Sequence, residues 1–210
     1  MDSSVAGRLE LARAYARQWH SGVLVPVNVS AVTYVTDISD KVLRFGNNPD
    51  AAIAACLYKG VVPNTSYRSL LNPQMQEAGD GSNAMDAVRY YFGGRVGGIV
   101  AELNSAPPGG PGAVVSCTRT IEWSRYLSKP SQMVLLAEKW ENFENRRQEI
   151  DDADTARRLM AYCISRFRII GALREASPDL AEGAMRTGHQ LADQAEAYLQ
   201  DARDAQRARA

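Results

Sequence analysis

Between Thr155 and Arg174 the chain carries five arginines (Arg157, Arg158, Arg166, Arg168 and Arg174) and no acid. A guanidinium fork presents paired N–H donors that match phosphate oxygens two at a time. Arg146 and Arg147 extend the cationic set just upstream. These seven arginines are the candidate nucleic-acid-binding residues, suited to gripping a phosphate backbone. The plainer reading of the same pattern is a solvated helix whose arginines pair with acids on neighbouring elements.

Glu149, Asp151, Asp152 and Asp154 place four carboxylates in six residues, a density that suggests metal ligation. Acids in the first turn of a helix also meet the positive end of its dipole, and Asp154 stands four residues before Arg158 for a helical ion pair. Capping is the better account of this run, and no metal is expected. The two histidines, His20 and His189, lack a cysteine or carboxylate at zinc-ligand spacing. A serine nucleophile elbow is absent. No catalytic residue and no cofactor follow from the sequence. Cys56, Cys117 and Cys163 lie in apolar patterns without CxxC spacing, which predicts buried thiols in a reducing compartment.

Two helical patterns must position the arginines. Lys129-Pro130-Ser131 breaks the chain, with Ser131 as expected cap, and Met133, Leu136, Ala137, Trp140, Phe143 and Ile150 then form one stripe. In the second pattern Leu159, Met160, Cys163, Ile164, Phe167, Ile170 and Leu173 make a broad apolar arc. Arg157 and Arg168 share the opposite face. Arg166 falls inside the arc, where its head must snorkel outward or find a partner.

Elsewhere, Val5, Leu9, Ala12, Ala16 and Trp19 predict a first helix capped by Ser3 or Ser4, and Asn48 with Pro49 predicts a helix start. Period-two alternation over Val27–Asp37 and around Val115, Cys117 and Ile121 predicts two strands that pair. Residues 61–82 and 107–112 read as loops, and Ser82 opens a helix through Met85, Val88 and Phe92. Gly93 to Gly98 lacks a P-loop lysine and reads as close helix packing or a hinge. Ser177-Pro178 starts a last helix that ends alanine-rich and charged. The fold class is mainly α: a helical bundle-like domain with a small two-stranded sheet and a long C-terminal helix. Residues 1–176 form the domain and 177–210 a helical arm.

The 210 residues, 45% of them hydrophobic, suffice for one good core. Formal net charge is zero, so duplex DNA binding by bulk charge is disfavoured. Charged residues interrupt the first twenty positions, and no apolar run is long enough for a membrane span. The expected location is the cytoplasm, without secretion.

Leu11-Ala12-Arg13-Ala14-Tyr15-Ala16 resembles a helix segment of coat proteins from flexuous filamentous plant viruses. Tyr91-Phe92 followed by Asn104 and Pro107-Pro108 is similar to their aromatic helix running into an Asn-and-double-Pro loop. The order agrees, the separation is longer here, and the aromatic-acidic motif after the loop is missing. Phe143-Glu144-Asn145-Arg146 through Ile150-Asp151 resembles the RNA-lining helix of rod-shaped coats, which have a different fold. The resemblance is confined to these short stretches. It implies a non-enzymatic, self-assembling subunit, coat or nucleocapsid-like, that partners itself and single-stranded RNA and would reside in a virion. The alternative is a cytoplasmic helical interaction or regulatory module. A third reading is a small-molecule enzyme with a spatially assembled site, marked by a deep pocket with convergent polar groups.

Overall fold

The structure, a computed structural model, describes residues 3–25, 28–58, 81–105 and 113–208. Among them it has nine α-helices: α1 Ser3–Trp19, α2 Ala31–Lys41, α3 Pro49–Leu57, α4 Gly81–Phe92, α5 Gly94–Asn104, α6 Ala113–Ser124, α7 Lys129–Asn145, α8 Ala153–Leu173 and α9 Pro178–Arg207. A two-stranded antiparallel sheet pairs β1 (Leu24–Val25) with β2 (Val29–Ser30). The mainly α class, the small sheet and the long last helix are all as the sequence predicts.

Helix α3 is the inner axis. Every residue from Ala51 to Leu57 is buried, as an all-round apolar helix requires, and α1, α2, α5 and α7 surround it. Its start is set by Asn48, whose side chain accepts from Ala51 N at 3.0 Å, with Pro49 in the first turn. A π-helical turn, Val42–Gly46, extends α2, and Asn47 then breaks it in a left-handed conformation at φ 47°. On the other side α7, α8 and α9 pack against one another. Gly183 and Gly188 on α9 let it approach closely: a β-carbon at Gly188 would lie 2.5 Å from Phe167 and 2.7 Å from Phe143.

Neither predicted strand forms over its expected length. Of residues 28–37 only Val29–Ser30 are strand, and from Ala31 the chain is helical; Ala31, Tyr34, Val35, Ile38 and Val42 are the buried set. The spacing of three, four and seven fits a helix, and burial against α3 overrides the β-branched composition. Residues 115–121 lie within α6, which packs Cys117 against α8; its thiol donates to Ser165 O at 3.1 Å. Among the described residues the sheet is built from Leu24–Val25 and Val29–Ser30.

Ser131 is not the cap of α7: Ser128 occupies that position, while Ser131 is buried in the first turn and donates to Glu102 at 2.6 Å. Gly93, at φ 89°, separates α4 from α5, and Gly97 makes the close approach, since a β-carbon there would meet Arg89 Cγ at 2.6 Å. Of the residues expected as loops, 61–80 and 107–112 lie outside the described residues, and Gly81 and Ser82 belong to α4. The three cysteines are free and buried, and burial pushes the Cys56 and Cys163 thiols up to about 11. Among the described residues no helix is long and apolar enough to cross a membrane.

Candidate functional site

The turn that joins α7 to α8 builds the site. Helix α7 tightens into a 3-10 turn, Arg146–Gln148, and Glu149 N donates back to Arg146 O at 3.1 Å. Asp152 then caps α8, accepting from Thr155 N at 2.7 Å, and that backbone donor holds its carboxyl below the ordinary range. From there Thr155, Arg158, Leu159, Tyr162, Ser165 and Arg166 recur three and four residues apart, on one face. With Arg146, Glu149, Asp151 and Ala161 they line a half-open pocket of about 690 Å³.

Tyr162 is the support of this pocket. The guanidinium carbons of Arg146 and Arg166 stand 4.5 Å and 4.6 Å from its ring centre. Cation–π contact holds both planar forks by their faces. Arg146 donates to Glu149 at 2.8 Å, each side chain about a quarter exposed, at 25% and 24%. Arg158 donates to Thr155 Oγ1 at 2.7 Å and stands 4.0 Å from Asp154. Arg166 Nε is buried and has no acceptor among the described residues. An unsatisfied buried guanidinium donor is costly, and the Tyr162 ring against the guanidinium offsets part of that cost.

Of the seven arginines chosen from sequence, three line this pocket: Arg146, Arg158 and Arg166. Arg157, projected as a binding residue, sits outside it, 65% exposed and paired to Asp154 at 2.9 Å. Arg147 donates to Gln190 of α9. Arg168 and Arg174 are exposed and away from the pocket. Ile164, assigned to the apolar arc, is in fact 61% exposed. Sequence reasoning missed Tyr162, Thr155 and Ser165. Their spacing with Arg158 and Arg166 was the available signal.

A second polar cluster lies inside the bundle, where α2, α3 and α7 meet. Tyr34 donates to Asn142 at 3.1 Å and to Glu138 at 3.4 Å, and Lys139 pairs with Glu138 at 3.0 Å. Burial first, then the Glu138 charge, drives the Tyr34 and Tyr58 phenols well above their ordinary range. Among the described residues no three His, Cys, Asp or Glu side chains converge at metal-ligand spacing. His20 is buried, and His189 stacks on Phe167 with centroids 4.5 Å apart.

No family model and no curated protein matches the chain. Among solved structures, one described as a metazoan ortholog of SpoT that hydrolyzes ppGpp and plays a role in starvation responses is similar in fold. The TM-score is 0.61 at 16% identity, over 87% of this chain and 94% of that one. The fold is shared with a ppGpp hydrolase. That likeness corrects the expectation of an RNA-coating capsid or nucleocapsid subunit, because the helices are arranged as in that hydrolase. The arginine-rich stretch misled for a physical reason: guanidinium groups suit any phosphate, and composition does not distinguish a polymer from a small molecule.

Proposed function

We propose that this chain binds a phosphorylated small molecule of nucleotide size in the pocket between the 3-10 turn and α8. Arg146, Arg158 and Arg166 take the phosphate oxygens, and Tyr162 keeps two of those forks in place. The observation that carries this reading is the convergence of Arg146, Arg158 and Arg166 on one pocket, two of them stacked on the Tyr162 ring. The volume, about 690 Å³, lies inside the range usual for small-molecule sites. The fold neighbour's ppGpp is itself a phosphorylated nucleotide, which makes it the first ligand to try.

Isothermal titration with ppGpp and with pyrophosphate tests the reading. Saturable binding is expected, weakening as salt is raised, because screening competes with partly exposed arginines. It should be lost in the Arg158→Ala/Arg166→Ala double variant while circular dichroism is unchanged. No binding of either ligand by the wild-type chain would end the proposal. A second reading, hydrolysis of the bound ester, is favoured by the fold neighbour's activity. Assaying phosphate and pyrophosphate release from ppGpp in the same samples separates binding alone from binding with cleavage.

A further inference from the structure

Resting on the phosphate-binding reading, we infer that Glu149 is the affinity-setting residue of this pocket: its carboxylate holds the Arg146 Nη1 donor as an internal counter-anion that a phosphate using that donor must displace. Both side chains line the pocket, and their N–O distance is 2.8 Å. The pair is only a quarter exposed, so water screens it less than it screens the open Arg157–Asp154 pair. A carboxylate and a phosphate compete for the same guanidinium donors in the same geometry.

The contact does not set the position of Arg146, because the Tyr162 ring already does so at 4.5 Å. Removing Glu149 therefore leaves the fork in place and frees its Nη1 donor. Arg158, by comparison, is held by the neutral Thr155 hydroxyl, and Arg166 by Tyr162 alone among the described residues. Of the three guanidinium groups, Arg146 is the one a lining carboxylate holds at hydrogen-bonding distance. A ligand that takes the Arg146 Nη1 donor must first break that pair.

The experiment is a double-mutant cycle on the full chain, with inorganic phosphate and pyrophosphate as probes. Glu149→Gln should tighten both by about fivefold, the scale of one partly exposed ion pair. In an Arg146→Ala background the same substitution should change affinity less than about twofold, since the competing contact is already gone. Equal tightening in both backgrounds would reduce Glu149 to a bulk-charge effect and overturn the inference. So would a Glu149→Gln chain that binds no tighter than wild type while wild type binds. Failure of every variant to bind either probe would remove the pocket reading itself, and this inference with it.

Discussion

Arg166 lies against Tyr162, one helical turn away, with its guanidinium carbon 4.6 Å from the ring centre and its Nε buried without an acceptor among the described residues. A long cationic side chain in an apolar arc ordinarily escapes to water. Here the aromatic face accepts the charge instead, and the fork stays at the pocket wall.

From that geometry, Tyr162→Phe should leave phosphate affinity within about twofold, because the ring and not the hydroxyl holds the guanidinium groups. Tyr162→Ala should weaken binding about tenfold by freeing Arg146 and Arg166 together. Titration calorimetry with pyrophosphate checks both. A Phe variant as weak as the Ala variant would assign the work to the phenol oxygen.

A different pair holds the scaffold. Lys41 of α2 donates to Glu141 at 2.6 Å and to Glu144 at 2.8 Å on α7, and the Glu141 side chain is only 3% exposed. Asn145 donates to Glu141 and Trp140 Nε1 to Glu144, so the remaining acceptors are filled. Burial works against the Lys41 ammonium, yet these hydrogen bonds and charges hold its pKa above the ordinary value; burial raises that of Glu141. Lys41→Met should destabilise by about 3 kcal/mol, since it strands a buried carboxylate. Chemical denaturation would show this as a lower midpoint. Adding Glu141→Leu to Lys41→Met should recover part of the loss.

How much of this was legible in the sequence depends on which interaction decided each element. The starts of α3 and α9 were readable because Asn48 and Ser177 cap locally, with a proline following each. Helix α2 was not, because Val29, Ala31 and Val35 alternate as a strand would; only burial against α3 selects the helical set. At the site, arginine content was visible and its partition was not. The apolar projection put Arg157 and Arg168 forward as the outward pair, whereas the pocket uses the face of Arg158, Tyr162 and Arg166. Arg146 joins that face only through the 3-10 turn, a change of course that helical periodicity does not record.

The start of α7 carries an acid-sensitive clamp. Glu102 of α5 accepts from Ser128 N at 2.9 Å, Ser128 Oγ at 2.7 Å and Ser131 Oγ at 2.6 Å. Burial opposes its charge, but the two serine hydroxyls and the backbone N–H outweigh it and bring the carboxyl below its ordinary value of 4.5. A carboxylate with a depressed folded pKa contributes stability above the unfolded value and loses it as pH falls through the folded one. Thermal melting should therefore drop on acidification below 4.5, and Glu102→Gln should flatten that limb while lowering stability near neutrality. A Gln variant with an unchanged acid limb would show that other carboxylates govern it.

Helix α9 approaches Trp140 more closely at Gly183 than a β-carbon allows. A β-carbon at Gly183 of α9 would fall 2.2 Å from Cζ3 of Trp140 on α7, and it would also meet Cη2 and Cε3 of the same indole. Those atoms belong to a rigid ring whose Nε1 is tied to Glu144 at 2.8 Å and whose face packs against Phe45 at 4.9 Å. The indole cannot swing aside without breaking both contacts, so the helices must separate. Gly183→Ala should cost about 2 kcal/mol in spite of alanine's better helix propensity, which alone would favour the variant by about 1 kcal/mol. Gly171→Ala on α8 is the matched comparison: nothing lies within 4 Å of a β-carbon there, and its position is exposed. That variant should gain stability. If the two glycine variants melted alike, close approach of α9 to Trp140 would not be what the glycine provides.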